Sequence, residues 1–299
     1  MIQEYEATPC TTGLYELGES CRWDEVRNEL YWVDILTGRF FRATADAAAV
    51  EITAVHNVDG FISAIAPCRD RSRGWVVAVN QGISLIDESG LPRELSRPEA
   101  NREALVRMND GCADPWGRFW FGSMAFDVAE GQGVLYRYQD STGSEVMLRD
   151  VTNSNGIGWS PDRSHMYYVD SGPAILYLFD VNTEGEISEQ RLLIQFDEKE
   201  GVPDGLCVDA EGAIWIAVWG ASEVRRYSPH GELIGRLDLP TSQPSSCAIG
   251  GANGTTLYVT TAREEMSELA LASEPHAGRV FCADVGVPGL PIDSFYPGE

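Results

Sequence analysis

The sequence predicts an all-β chain folded as a six-bladed β-propeller, with four-stranded antiparallel blades around a central channel. Three observations carry that expectation. A short aromatic or apolar strand recurs six times at a near-constant interval, a polar turn precedes it, and long amphipathic helical stretches are few.

The recurring strands cover residues 30–34, 75–79, 119–123, 166–170, 214–218 and 257–261. Their starts lie about 43 to 48 residues apart, the interval of propeller blades. The preceding turns include Asp24-Glu25-Val26-Arg27-Asn28, Asp114-Pro115-Trp116-Gly117, Ser160-Pro161-Asp162-Arg163 and Asp209-Ala210-Glu211-Gly212. Asp, Asn, Pro and Gly suit a tight hairpin turn. A further strand follows each anchor, at 39–42, 83–86, 134–137, 175–178, 224–227 and 279–282, and a fourth fits most gaps. One short helix is expected over 264–272, in a loop of the last unit. Strand-only units argue against a βαβ fold, and their even spacing argues against a β-sandwich or tandem β-domains. Six units over 299 residues average about 50 each, which predicts a single domain over 1–299.

The formal net charge is −24, which disfavours nucleic acid and anionic membrane surfaces as partners. No apolar run approaches the roughly 20 residues that span a bilayer. The N-terminus, Met1-Ile2-Gln3-Glu4-Tyr5-Glu6, lacks the basic and apolar regions of a signal peptide, so a cytoplasmic location is expected. Seven cysteines, an odd number at wide spacing with no CxxC pair, argue against a disulfide framework or a zinc cluster. Four scattered histidines form no HxH or HExxH pattern and are read as surface or structural.

Polar residues share one repeat position. Ten or eleven residues before the anchor strand stand Glu19, Asn109, Asn155 and Asp204 in units one, three, four and five. Unit six offers Ser245 or Ser246 near there, and unit two the apolar Phe61-Ile62 region a few residues further back. Equivalent positions in a closed ring are related by its axis, so four oxygen-bearing side chains converge. Bringing the two carboxylates together without a cation is costly. Oxygen ligands without sulfur or imidazole suit Ca2+, Mg2+ or Mn2+, with Zn2+ and Fe2+ left open. Gly111, Gly156 and Gly205 follow these positions and permit close approach of backbone or ligand. Asp or Asn beside Gly is also an ordinary turn pair, but Glu19 is a poor turn former. Arg107 lies two residues before Asn109, on the same face of a strand, where it either reaches the cavity or forms a surface salt bridge.

At these residues the chain resembles the SMP-30/gluconolactonase family, which includes regucalcin and bacterial sugar lactonases. The matching segments are Gly18-Glu19-Ser20 with Trp23, Arg107-Met108-Asn109-Asp110-Gly111, Asn155 through Asp162, Pro203-Asp204-Gly205-Leu206 with Asp209-Ala210-Glu211-Gly212, and Leu257 through Ala262. The resemblance implies one divalent ion, Ca2+ first among the candidates, ligated by Glu19, Asn155 and Asp204. It also implies substrate contacts from Arg107 and Asn109. One departure follows Gly122-Ser123-Met124. Many relatives carry a substrate-binding Glu there, where this chain reads Ala125-Phe126-Asp127.

The implied chemistry is metal-assisted hydrolysis of a small sugar lactone such as a glucono-, xylono- or arabinolactone. Asp204 is the candidate general base, and Arg107 and Asn109 orient the substrate and its oxyanion. No GxSxG motif supports a serine hydrolase. A phosphotriesterase-type hydrolase and a calcium-binding regulatory or scaffold propeller are the alternatives. The expected partner is a small lactone, and the chain is expected to be a monomer or weak homo-oligomer.

Overall fold

Each repeated unit folds into one antiparallel sheet, and the six sheets stand side by side in a ring as a six-bladed β-propeller. A computed structural model describes residues 2–45 and 49–298. The innermost strands are Gly18–Asp24, Ile62–Pro67, Val106–Ala113, Ser154–Trp159, Val202–Val208 and Pro244–Gly250. Each packs against the next, and the last returns to the first, so together they wall the channel.

The recurring aromatic strands are second in each blade: Glu29–Asp34, Trp75–Val79, Phe119–Ala125, His165–Asp170, Ile214–Trp219 and Thr256–Thr261. They are sandwiched between neighbouring blades. Trp32, Trp75, Trp120 and Trp215 are fully buried. Burial on both faces explains why these strands read as continuous apolar runs and not as an alternation.

The turn aspartates reach into that core. Asp114 Oδ1 accepts the backbone N–H groups of Trp116 and Arg118, each at 2.9 Å, and Oδ2 accepts the Trp120 indole N–H at 2.8 Å. Asp209 repeats the pattern with Glu211, Ala213 and the Trp215 indole at 3.0, 2.9 and 2.9 Å. One residue thus closes the hairpin and satisfies a buried indole that has no water to bond.

The ring closes through the chain's two ends. Blade six runs Pro244–Gly250, Thr256–Thr261, Phe281–Asp284, and takes its outer strand from Thr8–Pro9, with Thr8 opposite Cys282. Gln3–Glu6 lies parallel to Leu233–Asp238 and adds a fifth strand to blade five. The last unit therefore lacks a fourth strand of its own, and its third begins at Phe281, not Arg279. The helix is Glu268–Ser273, later than expected, because Ser267 caps it: its Oγ accepts the Ala270 N–H at 3.2 Å. Glu264 and Glu265 stay outside it. All seven cysteines are free thiols.

Every inner strand pairs with its neighbour through a register shift at the same place. The shifts fall between Glu19 and Arg22, Ile62 and Ala64, Met108 and Asp110, Ser154 and Ile157, Pro203 and Leu206, and Pro244 and Ser246. A bulge inserts unpaired residues and re-aims their side chains. Here it does so at one level around the channel.

Candidate functional site at the channel mouth

A cavity of 390 Å³ opens at one end of the channel, and Glu19, Arg107, Asn109, Asn155 and Asp204 all line it. Each stands at or beside a bulge near the start of its inner strand. Phe61 lines the cavity as well. Ile62 is buried in the core, and Ser245 turns away, its Oγ donating to the Gly18 carbonyl at 2.5 Å. The shared repeat position therefore delivers four polar groups and leaves blade six out.

Glu19 is 5% exposed, and its Oε2 accepts the Ser20 N–H at 2.7 Å. Burial, then the nearby Asp204 and Asp110, push its carboxyl well above the usual carboxylate range. Asp204 is raised in the same way, by burial and by Asp110, against hydrogen bonding from Asn155 and the Gly205 N–H. Asn155 Nδ2 donates to Ser171 Oγ at 3.0 Å, which leaves its Oδ1 buried and without a partner. Among the described residues no three His, Cys, Asp or Glu side chains form a metal-binding group. The donor set is two carboxylates and an amide oxygen. An orphaned carbonyl oxygen beside two repelling, dehydrated carboxylates fits a hard divalent cation.

Arg107 is not a surface ion pair. It is buried, and its Nη1 donates to Asn109 Oδ1 at 2.7 Å and to the Met108 carbonyl at 3.1 Å. Burial lowers its pKa, while Glu264, Glu19 and Asp204 oppose that shift. Asn109 Nδ2 donates to the Ser154 carbonyl at 2.9 Å, so blade four holds the amide in place.

Gly156 and Gly205 serve blade packing more than ligand approach. A Cβ on Gly156 would stand 2.7 Å from the Asp204 carbonyl oxygen, and one on Gly205 2.6 Å from Ser246 Oγ. Only a bare backbone lets these inner strands meet near the axis.

Four residues of the site escape sequence reasoning. Asp110 is 1% exposed, raises the carboxyls of both Glu19 and Asp204, and keeps Oδ2 unpartnered. Strict alternation turns it away from Asn109's side, and only the bulge brings it into play. Asn153, just before blade four's inner strand, and Ser171, just after its second strand, line the cavity, as does Glu264 from the loop expected to be helical. Only the acidic pair Glu264-Glu265 carried a signal.

At the other end of the channel a smaller cavity of 120 Å³ is lined by Cys21, Cys112, Cys207 and Cys247 and includes Asp293. Among the described residues no histidine lines either cavity.

Fold and cavity together define a six-bladed propeller with an acidic, oxygen-lined cavity at one mouth of its channel. Residues 17–263 match the family described as the SMP-30/Gluconolactonase/LRE-like region, and the chain belongs to that family. It is 35% identical to a 6-deoxy-6-sulfogluconolactonase of Pseudomonas putida, over 91% of this chain and 92% of that one. Human regucalcin is 32% identical, again over 91% of this chain and 92% of its own. A solved calcium-binding regucalcin from Agrobacterium tumefaciens superposes with a TM-score of 0.91 at 25% identity, covering 100% of both chains.

Proposed function

We propose that this protein hydrolyses small sugar lactones to aldonic acids with the help of one divalent ion, Ca2+ being the first candidate. The observation that carries this reading is the unpartnered Asn155 Oδ1 beside the buried Glu19 and Asp204. These three residues would hold the ion. When bound, it would supply Lewis acidity to the lactone carbonyl and acidify water beside it.

The chain's own groups do the rest. Asp204, a buried carboxyl raised above the usual carboxylate range, takes a proton from the attacking water. The water oxygen bonds to the carbonyl carbon, the ring C–O bond breaks, and the proton passes to the leaving ring oxygen. One water is consumed and one aldonic acid is released. Arg107, fixed by Asn109, faces the developing oxyanion, and Asn109 orients substrate hydroxyls. A lactonase of Pseudomonas putida among the relatives supports the reaction class. The protein would act in the cytoplasm as a single-domain monomer or weak homo-oligomer.

A calcium-binding regulator is the second reading, favoured by the likeness to a solved calcium-binding regucalcin. A binding module needs no open position at the ion, whereas a catalytic site keeps one. The test is a panel of aldonolactones assayed after metal stripping and single-ion re-addition. Turnover restored by one ion, and lost with metal retention in Asp204→Ala, is the expected outcome. Full activity in Asp204→Ala would remove Asp204 from both roles.

A further inference from the structure

We infer that the mouth of this cavity selects lactones whose outward-reaching carbon is deoxygenated or alkyl, and that Phe126 is the residue that determines this. The inference rests on the lactonase reading and narrows its substrate class.

Two apolar features of the sequence find no use in the chemistry above. One is Phe61, at the entry to blade two's inner strand. The other is Phe126, on the loop that leaves blade three's second strand. The fold brings them together: their ring centroids lie 5.6 Å apart at an interplanar angle of 51°. Both rings line the cavity. Phe126 is nonetheless 44% exposed, and Val128 beside it is 48% exposed. Large apolar groups left open at the rim of a ligand cavity gain by covering apolar ligand surface.

The loop holds this wall out deliberately. The Val128 N–H donates to the Ala125 carbonyl at 3.0 Å, and the Phe126 N–H donates to the Leu105 carbonyl at 3.0 Å. These bonds fix Phe126 in a tight turn. Val128 sits at φ 54°, a left-handed conformation that a β-branched residue adopts only under constraint. Neither ring offers a hydrogen-bond acceptor, so a substrate hydroxyl pressed against them loses water without replacement.

Charge excludes the opposite kind of substituent. The cavity holds Glu19, Asp204, Glu264 and Glu265 against one cation, Arg107, whose Nη1 is already committed to Asn109 and Met108. An anionic group would enter a cavity whose lining carries more carboxylates than cations. The wall and the acidic lining thus favour a neutral, hydroxyl-poor end.

The test compares three hexonolactones that differ only at C6: hydroxyl, hydrogen, and sulfonate. The expected order of kcat/KM is hydrogen above hydroxyl above sulfonate, with about tenfold between the first two. Phe126→Glu should reverse the first preference and Phe126→Leu should keep it, each with an unchanged melting temperature. Hydroxyl equal to or above hydrogen in the unaltered protein would overturn the inference. Calorimetric binding of the matched hexitol and 6-deoxyhexitol, which have no ester, separates the two readings. If no lactone is hydrolysed, the lactonase reading fails, and tighter binding of the deoxy polyol still supports the wall. Equal or weaker binding overturns it.

Discussion

Asn155 and Ser171 form the hinge between the candidate metal site and its neighbouring blade. The Asn155 amide donates to Ser171 Oγ at 3.0 Å, and that hydroxyl donates onward to the Pro203 carbonyl at 2.7 Å, one residue before Asp204. A single hydroxyl therefore turns the Asn155 oxygen into the cavity and ties the strands of Asn155 and Asp204 together. Ser171→Ala should weaken divalent-ion affinity by about tenfold, the usual effect of removing an outer partner of a ligand. Calorimetric titration of the stripped protein checks it. An unchanged affinity would show that Asn155 is oriented by its strand alone.

Glu19 and Asp204 repel each other, and the ion-free protein bears that cost. A carboxyl whose pKa is raised on folding costs stability above its unfolded pKa, and the cost vanishes when pH falls below that value. Asp204→Asn should therefore raise the melting temperature of the metal-free protein at pH 8 by about 2–4 °C. The gain should shrink toward pH 4. The same variant should lose the stabilisation that a divalent ion gives the unaltered protein. Thermal melts with chelator and with Ca2+ at both pH values separate these effects.

The blades were legible because their second strands are buried on both faces. Trp75, Trp120 and Trp215 mark them with a dense apolar signal at a fixed interval. The closing strand was not legible. Thr8 and Pro9 form two residues of a polar segment, and their partner lies some 270 residues away. The metal-site candidates could be read because ring symmetry turns a shared repeat position into a shared place. Asp110 could not, because the bulge at Met108–Asp110 breaks the two-residue period on which facing is judged. Ser171 has meaning only through a contact between blades, which no local pattern encodes.

Gly122 couples inter-blade packing to Asn109, the candidate substrate-positioning residue. A Cβ there would stand 1.8 Å from Ser154 Oγ, a side chain already accepting the Tyr168 hydroxyl at 2.9 Å. Ser154 must shift, and its carbonyl is the acceptor that holds Asn109. Gly122→Ala should cost about 1–3 kcal/mol of stability. It should also raise KM for the lactone more than it weakens metal affinity, since Ser154 makes no hydrogen bond to Glu19, Asn155 or Asp204. Denaturant unfolding with steady-state kinetics tests both halves.

Asp293 predicts a pH dependence at the opposite end of the channel. Burial, followed by Asp114, pushes its carboxyl up to about 7, against a weaker pull from Arg163. Below about pH 4 the group is protonated in both folded and unfolded chains and contributes nothing. Between about pH 4 and 7 the unfolded chain releases this proton and the folded chain keeps it, so stability falls as pH rises. Above 7 the full cost is present. Asp293→Asn keeps the shape and removes the titration. It should be more stable than the unaltered protein at pH 8, by about 1–2 kcal/mol after allowance for the partial exposure of the site, and equal to it near pH 4. Because Asp293 lies in the cavity away from Glu19 and Asp204, lactone turnover at saturating metal should keep its pH profile. A stability gain that does not grow with pH would mean that Asp293 is ionised in the folded protein throughout this range.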